Sequence, residues 1–301
     1  MKTESGPSPA VTVAIMVFLA SLVLFSLMGL VIKELAPRYR ADELSAYRNL
    51  FGMIPSALAL WWSARWHEQG RPIIIRQWRL AILRGGIVIF AQFMFYLALA
   101  RIAFATATTI SYANALFMVA FAVPLLGEKV GVVRWSATMV GFAGVVMVMG
   151  VGSDGFTWDA LLPLGAAAGY ALTGILARMV DVDVPSPLLN LNSSVVAAIG
   201  AVIFVLFLGG FSPITTWGDL GWIVLMGSLG GTAVLLMVIS FRMTEQSNLA
   251  PFSYFGIPLA FVMGWLFFNE APWGDLIPGS FLIIFDGLLI IWRERRLKSA
   301  R

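Results

Sequence analysis

The stretch 11–32, VTVAIMVFLASLVLFSLMGLVI, decides the fold. It runs 22 residues without a charged side chain and is closed by Lys33-Glu34. A helix needs about 20 apolar residues to cross the hydrocarbon core of a bilayer. The same pattern returns at 44–64, 79–100, 105–125, 132–150, 158–178, 188–208, 219–241, 247–268 and 275–292. These runs are too long for strands and lack the period-2 alternation of a membrane barrel. Asn190, Asn192, Ser193 and Ser194 dilute the start of the seventh. The first run exceeds the usual core of a signal peptide, about 7–15 residues, and no small-residue cleavage site follows it, so it reads as a retained helix. The expectation is an all-α polytopic membrane protein of ten transmembrane helices. A polar cytoplasmic leader, 1–10, precedes them and a basic cytoplasmic tail, 293–301, follows.

Composition agrees. The 301 residues are 59% hydrophobic and 12% charged, against about 45–50% and 25% in soluble domains. Glycine (29) and proline (14) are plentiful, as in membrane helices. No cysteine is present, which excludes disulfides, thiolate nucleophiles and Cys-ligated metals.

The net charge of +4 is an orientation signal rather than a nucleic-acid footprint. With ten spans both termini share one face. On it fall Lys2, Arg65, Arg71, Arg76, Arg79, Lys129, Arg134, Arg178, Arg242, Arg293, Arg295, Arg296, Lys298 and Arg301, fourteen in all. The other face holds four: Lys33, Arg38, Arg40 and Arg101. The positive-inside rule then puts both termini in the cytoplasm of a bacterial-type inner membrane. No basic soluble surface remains for a nucleic acid. The expected partners are the lipid bilayer and a small-molecule substrate; no pattern sets an oligomeric state.

The two halves echo each other. Ser111-Tyr112 falls on Ser253-Tyr254, and at the same offset Glu128 falls on Glu270; Gly29 with Lys33 matches Gly174 with Arg178. The repeats are 11–150 and 158–292. Each holds five spans, an odd number, so the second unit is expected to be inverted. Inverted repeats are typical of alternating-access carriers with a midplane site between the halves.

At this point a resemblance becomes specific. Leu83-Arg84-Gly85, Phe95-Tyr96-Leu97-Ala98-Leu99, Pro124, Leu126-Gly127-Glu128-Lys129-Val130, Trp135 and Gly141-Phe142-Ala143-Gly144 resemble the first-unit core of the EamA family of the drug/metabolite transporter superfamily. The pattern is nearest to its riboflavin and S-adenosylmethionine carriers. The resemblance implies helical bundles around a central cavity and carriage of small organic solutes. Family members often carry proline in mid-span 4, where this chain has Asn114-Ala115-Leu116. Pro258 supplies one in span 9. A hinge is therefore not carried over to span 4.

Polar groups within the spans are the candidate lining, since they are costly in lipid and face protein or water. They are Gln92 and Tyr96 on one face of span 3, Tyr112 and Asn114 in span 4, Tyr170 in span 6, Asn190 in span 7 and Tyr254 in span 9. The competing reading is hydrogen bonding between packed helices. A lining of aromatic rings and neutral groups suits a planar, weakly charged solute. Arg48, at the start of span 2, either draws an anionic group to the cavity mouth or snorkels and pairs with Asp42. Arg84 and Asp286 are the two deepest charges, at equal depth, and read as a buried pair. Asp286 is alternatively a proton-coupling carboxylate. Glu128 and Glu270 read as structural, complementing the positive end of the next helix.

The expected function is secondary transport by alternating access, with uptake of a riboflavin-like heteroaromatic vitamin first. Export of amino acids or amphipathic drugs on the same fold is the alternative. A channel would show rings of like groups, and an intramembrane enzyme would show convergent catalytic groups; neither pattern is present. His67 alone makes no metal site, no cofactor is expected, and no Walker loop supports ATP-driven transport. Reporter fusions after Arg301 and within 152–157 are expected to give opposite readouts, cytoplasmic and periplasmic; a periplasmic C-terminus would overturn the span count.

Overall fold

The computed structural model describes residues 9–127, 132–149, 156–181, 183–243, 252 and 255–269. Glu128, Tyr254, Glu270, Asp286 and the run 275–292 lie outside the described residues. Among those described, the regular elements are all helices: α1 Pro9–Leu35, α2 Ala41–Trp61, α3 Ala64–Glu68, α4 Trp78–Arg101, α5 Phe104–Ser111, α6 Asn114–Leu126, α7 Val132–Val148, α8 Leu161–Arg178, α9 Ser186–Phe207, α10 Trp217–Met243 and α11 Gly256–Phe268. A short 3-10 turn, Trp158–Ala160, leads into α8.

Among the described residues, six runs are long and apolar enough to cross a membrane: Val11–Leu35, Trp78–Arg101, Phe104–Leu126, Trp158–Ala177, Ser186–Phe207 and Trp217–Ser240. The 21-residue α2 is not among them, because Asp42, Glu43, Arg48 and Asn49 break its apolar run. All nine residues from Ala41 to Asn49 are buried. This polar half-helix is enclosed by protein, packed on α4, α9 and α10. Elsewhere the outer surface is apolar, with Phe90, Leu206, Phe207, Trp265, Leu266 and Phe267 all exposed. Trp61, Trp62, Trp78, Trp158 and Trp217 stand exposed at helix ends, where amphipathic rings anchor at a membrane interface.

The packing maps onto itself when the halves are exchanged. α1 packs on α10 as α8 packs on α4; α2 packs on α10 as α9 packs on α4; α11 packs on α1 as α6 packs on α8; and α2 meets α9 directly. Two helix ends repeat the correspondence. Gly127 and Asn269, matched at the repeat offset, both close their helices in the left-handed region, φ 66° and 52°. Each donates its N–H to the carbonyl five residues back, Ala122 and Gly264, which satisfies a carbonyl the helix end leaves free.

Span 4 corrects the expectation drawn from its missing proline. The helix is interrupted at Tyr112-Ala113, whose amides bond back only three residues, to Thr109 (3.1 Å) and Ile110 (3.0 Å). Thr108 Oγ1 and Ser111 Oγ donate to the carbonyls of Phe104 (2.7 Å) and Ala107 (2.9 Å). Hydroxyls that share those acceptors weaken the ladder and bend the helix.

Glycines set the closest crossing. A Cβ on Gly231 of α10 would lie 2.3 Å from the carbonyl oxygen of Gly52 in α2, and one on Gly227 would lie 2.4 Å from Phe51 Cβ. In lipid, where apolar burial gives no net drive between helices, such backbone approach is a main source of association. Gly231→Val is expected to force α2 and α10 apart and to destabilise by roughly 1–3 kcal/mol. Gly221→Ala on the same helix, with nothing within 4 Å of the added Cβ, should be neutral or mildly stabilising. Thermal unfolding in detergent checks the pair.

Candidate functional site

Helical spacing on α2 puts Ser45, Arg48 and Asn49 on one face, at i, i+3 and i+4. The same spacing on α4 aligns Gln92 and Tyr96. The two faces meet. Gln92 Oε1 accepts from Asn49 Nδ2 (2.7 Å) and Ser45 Oγ (3.2 Å). Asn49 Oδ1 accepts from Arg48 Nη1 (3.1 Å), and Arg48 Nη2 donates to the Gly230 carbonyl of α10 (3.3 Å). Gly230 makes this possible, since a Cβ there would lie 3.0 Å from Arg48 Nε and 2.5 Å from Met28 Sδ. Tyr96 and Tyr170 of α8 both stand within electrostatic reach of Arg48. The cluster thus draws on α2 and α4 from one half and α8 and α10 from the other.

It is shut off from water. Arg48 is 6% exposed, Gln92 3% and Tyr96 1%, while Tyr170 is half-buried. The Tyr96 hydroxyl and Arg48 Nε have no hydrogen-bond partner. Arg48 therefore neither snorkels nor pairs with Asp42, which is held bidentately by Arg40 (2.7 and 3.1 Å). The reason is position: α2 begins at Ala41, so Arg48 sits ~10 Å along the helix rather than at its mouth.

The other sequence candidates occupy separate places. Asn190 Nδ2 donates to Ser56 Oγ (2.9 Å), joining α9 to α2 ~10 Å along α2 from Asn49. Arg84, eight residues or ~12 Å before Gln92 on α4, donates to Ser193 Oγ (2.9 Å) and the Thr173 carbonyl (3.3 Å). Among the described residues its partners are neutral; Asp286 lies outside them. The Tyr112 hydroxyl abuts Gly256 of α11, where a Cβ would collide with it. Asn114 opens α6. No hydrogen bond among the described residues joins Tyr112 or Asn114 to the Arg48 cluster. Ser45 and Asn49 were missed in the sequence because they sit where a span was taken to begin; their i, i+4 spacing was the available signal.

The cluster is bracketed by two sets of inter-half bonds. At one end the α1–α2 link is tied to the α9–α10 link. Arg38 pairs with Asp219, and Tyr39 donates to Asp219 (3.2 Å). Glu43 accepts from the amide and hydroxyl of Ser212 (3.0 and 2.9 Å), and Arg40 donates to the Gly210 carbonyl (3.2 Å). At the other end the bonds are neutral: Gln69 Nε2 to the Asp183 carbonyl (3.1 Å) and Asn192 Nδ2 to the Ile73 carbonyl (3.0 Å).

The chain, an all-helical bundle with outward apolar side chains, is similar to known proteins. The EamA-like transporter family matches residues 12–150 and again 157–293. The S-adenosylmethionine uptake transporter of Rickettsia bellii is 26% identical over 285 residues, covering 94% of this chain and 95% of that protein. The riboflavin transporter of Rhizobium johnstonii is 29% identical over 172 residues, 57% of this chain and 56% of that protein. A protein crystal structure superimposes with a TM-score of 0.69 at 18% identity, over 95% of this chain and 99% of that one, a likeness of fold. The protein is thus a membrane-embedded transporter of small molecules, not an enzyme, and with two matched units spanning nearly its whole length the chain belongs to the EamA-like transporter family.

Proposed function

We propose that this protein is a secondary carrier of the bacterial inner membrane that takes up a planar heteroaromatic metabolite, the chemistry shared by riboflavin and S-adenosylmethionine. Its ten spans form two inverted five-helix units with both termini cytoplasmic. The substrate binds at the seam between the units, and rocking of one against the other exposes it to each side in turn. The exchange-symmetric packing and the paired left-handed helix ends support the inverted arrangement. The observation that carries the function is the buried Ser45–Arg48–Asn49–Gln92 network, with Tyr96 and Tyr170 beside it, where helices of both halves meet. The charged ties of the 35–43 and 208–219 segments close one end in this conformation. That closure supports an outer gate that must open for uptake.

Proteoliposomes loaded with the purified protein are expected to accumulate labelled S-adenosylmethionine or riboflavin saturably, with competition from heteroaromatic compounds and none from aliphatic amino acids. Competition by amino acids alone would favour the exporter alternative. Absence of saturable uptake of either compound by well-folded protein would end the heteroaromatic reading.

Tyr96→Phe separates a binding role from a packing one. The hydroxyl makes no bond in this conformation, so its loss should leave thermal stability unchanged or slightly raised. If it bonds substrate, half-saturation should rise about two- to tenfold, the equivalent of ~0.5–1.5 kcal/mol for one hydrogen bond. Unchanged half-saturation would remove Tyr96 from the site.

A further inference from the structure

The geometry points to Arg48 as the residue that receives a carboxylate of the transported molecule and so selects anion-bearing substrates. The inference rests on the uptake reading above and deepens it.

A guanidinium stays charged inside a protein and offers five N–H donors in a planar fork. Arg48 uses two, both on neutral acceptors, Asn49 Oδ1 and the Gly230 carbonyl; Nε has no partner. The two carboxylates on its own helix are engaged elsewhere, Asp42 by Arg40 and Glu43 by Ser212. Among the described residues no ion pair reaches Arg48. A buried cation with only neutral partners is costly and persists where function needs the charge. Packing alone would be served better by glutamine or methionine.

The surroundings complete an oxyanion site. The unpartnered Tyr96 hydroxyl is a second donor, buried within electrostatic reach of the guanidinium. The absent side chain at Gly230 is what lets the guanidinium lie against the α10 backbone, with Nε 3.0 Å from where a Cβ would stand. A planar carboxylate accepts two parallel bonds from an arginine fork, the geometry that gives such pairs their strength and selectivity. Within the proposed substrate class this favours a free carboxylate over its ester; S-adenosylmethionine carries one, beside a sulfonium and an ammonium that make it a net cation, and riboflavin carries none.

The test is binding to purified full-length protein in detergent, using S-adenosylmethionine against its carboxyl methyl ester, and riboflavin against its 5′-phosphate. The wild type should bind S-adenosylmethionine at least ~tenfold tighter than the ester. Arg48→Gln should abolish that preference by weakening the free acid while changing ester affinity less than ~threefold. Arg48→Lys, which keeps charge but not the fork, should fall between. A preference for the phosphate over riboflavin, with none for the free acid over its ester, would overturn the carboxylate assignment in favour of phosphate. Equal binding within both pairs by the wild type, which needs no variant to fold, would overturn the Arg48 role while leaving heteroaromatic uptake standing. Failure of all four compounds to bind well-folded wild type would overturn both.

Discussion

A polar half-helix cannot face lipid, and the bundle is arranged around that constraint. The hydrocarbon core offers no water to satisfy a donor, so every polar group at that depth must find its partner in protein. The first half of α2 carries Ser45, Arg48 and Asn49 on one face. Among the described residues their acceptors outside α2 come from α4 and α10, Gln92 Oε1 and the Gly230 carbonyl. The network is not what holds the helices together, because each bond nets only ~0.5–1.5 kcal/mol. Its force is in the alternative. A register that lost Gln92 would strand two buried donors at a cost of ~1–3 kcal/mol each.

Cohesion comes from contact. Where α2 crosses α10, backbone meets backbone at Gly52 and Gly231. That close fit tolerates no added carbon and makes the crossing a rigid part of the seam. The ends of the bundle are different. Arg38 is 44% exposed on its side of the pair with Asp219, and Arg40 43% exposed beside Asp42. Their partners are buried, Asp219 4% and Asp42 5% exposed, so each pair stands between the surface and the buried regime. The glycine crossing cannot slide without strain.

Membership of the EamA-like family gives the architecture a function class, and the chemistry within the seam narrows it. Aromatic hydroxyls and amides would serve many solutes. A buried arginine bonded to an amide oxygen and a backbone carbonyl is a more selective feature, since its unmet hydrogen-bonding capacity favours a ligand that brings negative charge.

Sequence alone determined the membrane character and the two-unit organisation. Apolar runs of fixed length are local properties, and the matched Ser-Tyr and Glu positions are visible as text. It also marked Gln92, Tyr96, Tyr170 and Arg48 as polar groups out of place in lipid, which the bundle brings together. Tertiary structure decided what the chain order could not. Arg48 became a seam residue rather than a mouth residue because α2 begins earlier than its hydropathy suggests. Asn190, Arg84 and Tyr112 went to other contacts because their partners Ser56, Ser193 and Gly256 lie 134, 109 and 144 positions away. The break in span 4 formed without proline because Thr108 and Ser111 turn their hydroxyls onto the helix's own carbonyls. The break is local to its helix, but the other outcomes depend on which side chain meets which across the bundle. Hydropathy reports depth in the membrane and says nothing of that pairing.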